Sequence, residues 1–395
     1  MDDLETRTPD TANRSAERPT VRKFGGVQPP LRFAFFTELY SPHIGGQEVF
    51  FQELAEALVR RGHTVDVYCI GHDPSLPTHE ILNGVSLFRN PNNGRYQKPL
   101  VPALRRSWSQ ITRYSAWIRG ITNSARHDFY LLNQWPLMHV LALPPRARRR
   151  SAVHWCEVRD GTLFRTIQAR FPKMVSANFA VSAAVAAEIG AQSGQPFGVL
   201  PSGLEVGRYR NAPRDTRSGV LSLGRLFAHK NLPLLIDAFA LVADDFEGDL
   251  TIAGDGPERA AIESYVARSP IADRVHVLGE VTEAQKISLL SEAAILAMPS
   301  RREGFPRVIA EAMASGLPTV TASFPENGAK DVVAQYGSGV VCGTEPSDFA
   351  DGLRSAAAEW DRFSQAGLAG AQTLDWSGIA GTLEVRAREV MEYAG

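Results

Sequence analysis

The strongest constraint on this chain is an alternation of apolar strands and helical patterns that runs through most of its length. Residues 31–37 form an apolar run of strand length, 47–61 carry a helical pattern closed by Gly62-His63, and 64–70 form the next strand. Strand, helix and strand within 40 residues make a βαβ unit, so the N-terminal half is predicted to begin as a parallel α/β domain. Further strands are expected at 85–88, 129–132, 151–154, 179–181 and 198–200, with a helix over 183–189. A second series opens at 219–224. Its helices are predicted at 232–242, 258–267 and 283–292, and its strands at 249–253, 275–278, 294–298 and 318–322. Short connections between alternating strands and helices give doubly wound sheets.

At 395 residues the chain exceeds one ordinary core, and two domains of roughly 150–200 residues are expected. The pattern divides into a leader at 1–28, a first α/β domain at 29–205, a linker at 206–218, a second α/β domain at 219–375 and a closing helix at 376–395. The leader has five acidic and five basic side chains and no apolar block, so it lacks a signal peptide's hydrophobic region and reads as disordered. Over the whole chain 42 basic residues oppose 43 acidic ones. That balance argues against a nucleic-acid partner, whose binding rests on phosphate neutralisation. Any anion site must be local. Cys69, Cys156 and Cys342 suit neither a disulfide framework nor a zinc site, so a reducing, cytoplasmic setting is expected. No run reaches the ~18 apolar residues of a membrane helix.

Chemistry concentrates in the second domain. Arg225 and Lys230 follow a strand ending in Gly224, and loops at the carboxyl ends of strands hold ligands in open α/β sheets. A guanidinium fork and a mobile ammonium suit two phosphates; two basic residues alone would equally suit a solvated turn. Glu303 and Glu311 stand eight residues apart in Glu303-Gly304-Phe305-Pro306-Arg307-Val308-Ile309-Ala310-Glu311. Glu311 is expected near the start of helix 308–315, where a carboxylate is favoured and can accept hydrogen bonds from the vicinal hydroxyls of a ribose. Glu303 precedes a turn whose free N–H groups face whatever lies over the helix terminus. Together they suit a polyanion that also carries hydroxyls, such as a nucleotide diphosphate sugar.

In the first domain, Gly45-Gly46 lies between the first strand and its helix, where glycine permits close approach and the helix terminus favours phosphate. The chain lacks both the Gly-x-Gly-x-x-Gly fingerprint followed by an acidic residue and the lysine-serine phosphate loop. His154 closes an apolar strand, where it suits either a structural place or a cleft, with Glu157, Arg159 and Asp160 as acceptor-side candidates. Between 98 and 127 there are six basic residues (Lys98, Arg105, Arg106, Arg113, Arg119, Arg126), no acidic one, and Trp108, Ile111, Tyr114, Trp117, Ile118 and Ile121 near helical spacing. Such a helix suits an anionic membrane as a peripheral contact or a phosphorylated acceptor, and equally a place packed on its own domain with a basic outer face. The basic run 146–150 reads as a solvated loop.

Taken together, these motifs resemble the retaining glycosyltransferases of the large bacterial family often called family 4, with its two-domain GT-B fold. The resemblance rests on Gly45-Gly46, on Gly224-Arg225-Leu226 with Lys230, on Gly254-Asp255-Gly256-Pro257, and on Glu303-Gly304-Phe305 followed by Glu311-Ala312-Met313-Ala314-Ser315-Gly316. It implies an α/β fold of two Rossmann-like doubly wound domains facing a central cleft, the first on the acceptor side and the second on the donor side, with the closing helix crossing back to the first. It also implies transfer from a UDP- or GDP-linked sugar to a hydroxyl of a small-molecule, saccharide or lipid-linked acceptor, with neither cofactor nor metal. Arg225 and Lys230 would then stabilise the departing diphosphate and Glu311 would hold the ribose. Glu303 with the backbone of Gly304, Phe305 and Pro306 would orient the sugar, His154 would touch it, and Gly45, Gly46, Gly224 and Gly256 would admit the donor. The chain departs from the family pattern at Pro306, at Lys230-Asn231, at Pro201-Ser202-Gly203-Leu204-Glu205 and over Ser323-Phe324-Pro325-Glu326-Asn327-Gly328. A nucleotide-sugar 2-epimerase of the same fold, and a non-catalytic nucleotide-sugar-binding subunit of a partner transferase, stay open beside this reading.

Overall fold

The computed structural model describes residues 28–43, 45–91, 107–124 and 126–394. Eight strands build the first sheet: β1 Arg32–Phe36, β2 Thr64–Ile70, β3 His79–Leu82, β4 Val85–Asn90, β5 Phe129–Asn133, β6 Ser151–Trp155, β7 Ala177–Ala180 and β8 Gly198–Val199. Their order is β3-β4-β2-β1-β5-β6-β7-β8. Only the β3–β4 hairpin is antiparallel. The sequence pattern missed β3 because its side chains are half-buried or exposed and show no apolar run.

Six parallel strands form the second sheet: β9 Ser218–Leu223, β10 Leu250–Ala253, β11 Val275–Gly279, β12 Ala293–Met298, β13 Thr319–Ala322 and β14 Gly339–Cys342, in the order β11-β10-β9-β12-β13-β14. In each sheet the first strand lies centrally and the chain winds outward from it in both directions. The loops after β1 and β9 therefore open at the points where strand order reverses, which is where such sheets leave a crevice.

Both sheets are covered on two faces. Helix Gly46–Arg60 buries Phe50, Phe51, Leu54 and Leu58 on one face of the first sheet. The final helix, Trp376–Ala394, joins that same layer through Trp376, Ile379, Leu383, Ala387 and Val390. That three-and-four spacing makes one apolar stripe, and each large side chain buried there contributes about 1.5–3 kcal/mol. Arg61 donates to Glu384 at 2.8 Å, fastening the helix to the chain before β2, and Arg388 of the same helix holds that carboxylate at 2.8 Å. Where the chain enters and leaves the second sheet, Leu204 and Asp375 form a short parallel bridge.

Helix Trp108–Ser124 covers the opposite face of the first sheet. Ile111, Tyr114 and Ile118 are buried there, and the Tyr114 hydroxyl donates to the carbonyls of Thr37 and Tyr68 at 2.8 and 2.7 Å. In its described part, 98–127 follows the packed alternative rather than the membrane reading. The apolar side chains it needed are turned into the domain, leaving Arg113 and Arg119 outside and Trp108 as the large exposed apolar residue of that helix. Lys98, Arg105 and Arg106 lie outside the described residues. Among the described residues no helix is long and apolar enough to cross a membrane.

Candidate active site

Glycine loops at the carboxyl ends of β9 and β10 form the floor of the site. The Gly224 N–H donates to the Ala253 carbonyl at 3.0 Å and the Leu226 N–H to the Asp255 carbonyl at 2.9 Å. Gly254 has φ +137°, and a side chain on it would strike the Gly224 backbone; one on Gly256 would strike Leu226. Only glycine lets the two loops lie this close. Over them opens a cavity of about 690 Å³ whose lining includes Arg225, Gly256, Glu280, Lys286 and Glu311.

Arg225 stands at one edge of this cavity and, with Lys230, lines a small pocket beside it. Arg225 is exposed, its guanidinium 4.8 Å from the centre of the Phe227 ring, which stacks in turn on His229. Lys230 ends a short turn that continues through Asn231 in the left-handed conformation (φ 54°), so the Lys-Asn departure keeps a residue type that tolerates this geometry. Its Nζ donates to Glu303 Oε1 at 2.6 Å, with side chains 20% and 12% exposed. The ammonium is thus accessible and paired with a carboxylate that another anion can relieve.

The Glu303 backbone is strapped to the segment that departs from the family pattern. Its N–H donates to Glu326, and its carbonyl accepts from Gly328. Lys330 donates to the carbonyls of Phe324 and Pro325, both at 2.8 Å, while buried Asn327 donates to Thr321 and Ala322. Residues 323–328 therefore form a braced loop beside the glutamate turn. Gly304 is exposed, Phe305 half-buried, and Pro306 buried at the head of helix Arg307–Ala314.

Glu311 corrects one expectation. It is the fifth residue of helix Arg307–Ala314 and lies outside its first turn, so the helix terminus does not hold it. Instead Lys286 Nζ donates to its Oε1 at 2.9 Å, and the Tyr209 side chain lies near enough to feel its charge. The Tyr209 hydroxyl is pushed far upward by burial and then by Glu311 and Glu283. Burial works against the charge on Lys286, but Glu311 and Glu283 outweigh it and raise its pKa. Sequence reasoning missed both partners. The available signal was Lys286 as the lone basic residue of helix Glu283–Glu292, just past a strand end.

The first-domain candidates lie differently. Gly45 caps helix Gly46–Arg60 with extended backbone, and space is open beside Gly46. His154 does not face a cleft. It is fully buried, stacked on Phe50 at 4.0 Å, and its Nε2 donates to the Leu200 carbonyl at 2.9 Å. Burial, only partly offset by that bond, pushes it down to about 4, so it is a neutral core residue. Its side chain falls on the sheet face covered by helix Gly46–Arg60, a choice that a strand's alternation makes and strand length alone does not reveal. Glu157 and Arg159 pair at 2.7 Å; Trp135 Nε1 also donates to Glu157, and the Arg159 guanidinium covers the Trp135 ring at 4.3 Å. Gln134 accepts from the N–H groups of Cys156 and Glu157, fixing that loop. Asp160 is exposed. Among the described residues no three His, Cys, Asp or Glu side chains gather as a metal site would require.

The same architecture occurs in sucrose-phosphate synthase of Thermosynechococcus elongatus (TM-score 0.71, 18% identity, 92% of this chain and 100% of that one). It occurs also in Anabaena HepE solved with UDP (TM-score 0.69, 18% identity, 91% and 100%). Residues 44–208 match the family model Glycosyltransferase Family 4, and 208–370 match glycosyl transferases group 1. The chain is a GT-B-fold glycosyltransferase related to these groups. An uncharacterized glycosyltransferase of Methanocaldococcus jannaschii is 25% identical over 365 residues, covering 84% of this chain and 90% of that protein. The boundary between the two models falls at 208, inside the short turn Val206–Arg208 that precedes the second sheet of this glycosyltransferase.

Proposed function

We propose that this glycosyltransferase moves a hexosyl or N-acetylhexosaminyl group from a UDP- or GDP-linked sugar to an acceptor hydroxyl, with retention at the anomeric carbon. The acceptor class is a small molecule, a saccharide or a lipid-linked sugar. The observation that carries the reading is the grouping of Arg225, Lys230, Glu303 and Glu311 around loops at the end of one sheet. As the bond from the anomeric carbon to the diphosphate oxygen breaks, negative charge grows on the diphosphate. Two preorganised cations are most useful there. Lys230 exchanges part of its hold on Glu303 for the phosphate, and the freed carboxylate takes a hydroxyl of the sugar. Glu311 accepts from the ribose hydroxyls.

The acceptor oxygen attacks from the face that the diphosphate leaves. Its bond to the anomeric carbon forms, and its proton passes to the departing phosphate oxygen. His154 has no part in this. The two cations stand where a metal ion would otherwise neutralise the leaving group, so turnover is expected to persist after exhaustive chelation. UDP in the Anabaena HepE structure supports a nucleoside diphosphate as the ligand class.

The test is incubation with a panel of nucleotide sugars, with and without an acceptor pool, followed by NMR of the product. Nucleoside diphosphate released only with acceptor, together with an unchanged anomeric configuration, supports the reading. A nucleotide sugar epimerised without acceptor would establish the 2-epimerase instead. Donor binding without any conversion would favour the non-catalytic subunit.

A further inference from the structure

Lys286 reaches into the donor cavity from a helix that contributes none of the residues expected from sequence. The start of helix Glu283–Glu292 is fixed by a reciprocal cap, with the Thr282 N–H donating to Gln285 Oε1 at 2.9 Å and the Gln285 N–H to Thr282 Oγ1 at 3.3 Å. Such a cap satisfies two helix-end donors at once and sets the first turn. Lys286 emerges immediately after it. Its ammonium is tied on two sides, to Glu311 and to Glu283, both at 2.9 Å. The Lys286 and Glu311 side chains are 17% and 7% exposed, whereas Glu283 is 62% exposed. The inner bond is therefore the one sheltered from water, where charge pairing is strongest.

We propose that Lys286 is a positioning residue that makes the site selective for ribonucleotide donors, by holding the Glu311 carboxylate aimed at the two vicinal ribose hydroxyls. The proposal rests on Glu311 being the ribose ligand. An ionised carboxylate has about four places for donors. Lys286 occupies one on Oε1, which leaves room for the two that a pair of vicinal hydroxyls fills. Removing the ammonium leaves a buried carboxylate whose neighbouring cation Arg307 is already committed to Glu53. Buried charge without a partner is costly, so the carboxylate would turn away toward water and lose its aim at the two hydroxyls. Selectivity built on polar groups left unpaired by the wrong ligand is the strong kind.

The experiment is calorimetric titration of the full chain with UDP and GDP and with their 2′,3′-dideoxy counterparts, for the parent and for Lys286→Met and Lys286→Arg. The parent should prefer the ribose form by about tenfold or more, the scale of hydrogen bonds to a charged group. Lys286→Met should shrink that preference at least about fivefold while moving dideoxynucleotide affinity less than about twofold, and Lys286→Arg should restore most of it. An equal loss for both forms in Lys286→Met would make the lysine a phosphate ligand or a structural prop, and would overturn the proposal. So would a preference unchanged in Lys286→Met, leaving Glu311 as the ribose ligand intact. A parent that binds both forms equally, or neither, refutes that role of Glu311 and the proposal with it. Lys286→Gln serves as the replacement should Lys286→Met fail to fold.

Discussion

The two α/β halves are built alike yet treat the polar side chains at their strand ends in opposite ways. In the second half Lys230 pairs with Glu303 and Lys286 with Glu311, each pair between different elements, and the second lines the open cavity. In the first half the comparable side chains are engaged in architecture: His154 braces Leu200, Gln134 fixes the Cys156–Glu157 backbone, and Glu157 joins Arg159 to Trp135. Pairs at an open cavity can exchange partners with a ligand. Bonds that hold a loop or a core cannot be given up without losing shape. On this comparison ionic recognition belongs to the second half. The first half offers shape, an aromatic surface at Trp135 and Phe164, and the open helix terminus at Gly46.

The sharpest way to break the comparison is to remove a cation from each half. Lys230→Ala or Arg225→Ala should lower kcat/KM by at least ~100-fold, since each faces charge that grows in the transition state. Arg159→Ala should cost less than about tenfold, because its guanidinium is held by Glu157 over an aromatic ring. Steady-state rates showing the reverse order would move the ionic chemistry to the first half. Next in size, Glu311→Ala should weaken nucleoside diphosphate binding by roughly 1.5–3 kcal/mol, the range for a hydrogen bond to a charged group. Calorimetry giving the same loss with a dideoxynucleotide would separate Glu311 from the ribose.

How legible this was in the sequence follows the same division. Arg225, Lys230, Glu303 and Glu311 carry their chemistry in short motifs at strand ends, and the doubly wound pattern shows where strands end. Lys286 and Tyr209 come from elements far away in sequence, and no local spacing signals that they meet at Glu311. His154 failed for a different reason. A polar residue in an apolar strand has two faces to choose from, and the face is decided by helix Gly46–Arg60 and Trp376, which pack there. The 98–127 pattern was ambiguous because a helix lying across its own sheet and one lying on a membrane need the same stripe.

His154 supplies the third comparison. It is neutral when folded, with its pKa pushed down by burial to about 4 from 6.5. The unfolded chain takes up the proton first, so stability should fall as pH drops from ~6.5 toward ~4, by at most about 1.4 kcal/mol per pH unit for one group. His139, buried in the same half and pushed down to about 3, acts in the same direction. His154→Gln, which keeps a donor for Leu200, should flatten the slope of chemical-denaturation stability in that window without removing it. An unchanged slope would mean that His154 is protonated, or exposed, in the folded protein.

The smallest expected effect concerns a place where a charge of each half meets. Arg307, at the head of the helix that carries Glu311, donates to both oxygens of Glu53 at 2.7 and 3.1 Å, and Trp376 Nε1 donates to the same carboxylate at 3.0 Å. The two ionic side chains are 28% and 29% exposed, so solvent screens them in part. Burial opposes the charge on Arg307, and Glu53 outweighs it. A double-mutant cycle of Glu53→Ala and Arg307→Ala should give a coupling energy of about 0.5–1.5 kcal/mol, above most surface pairs because the guanidinium is bidentate. Repeating the cycle with saturating nucleoside diphosphate tells whether the halves communicate through it. If the donor helix shifts when Glu311 engages a ribose, the coupling should change by at least about 0.5 kcal/mol, by the reciprocity of linked equilibria. A coupling that is the same with and without nucleotide would make Glu53 and Arg307 a fixed strut, with ionic traffic confined to the second half.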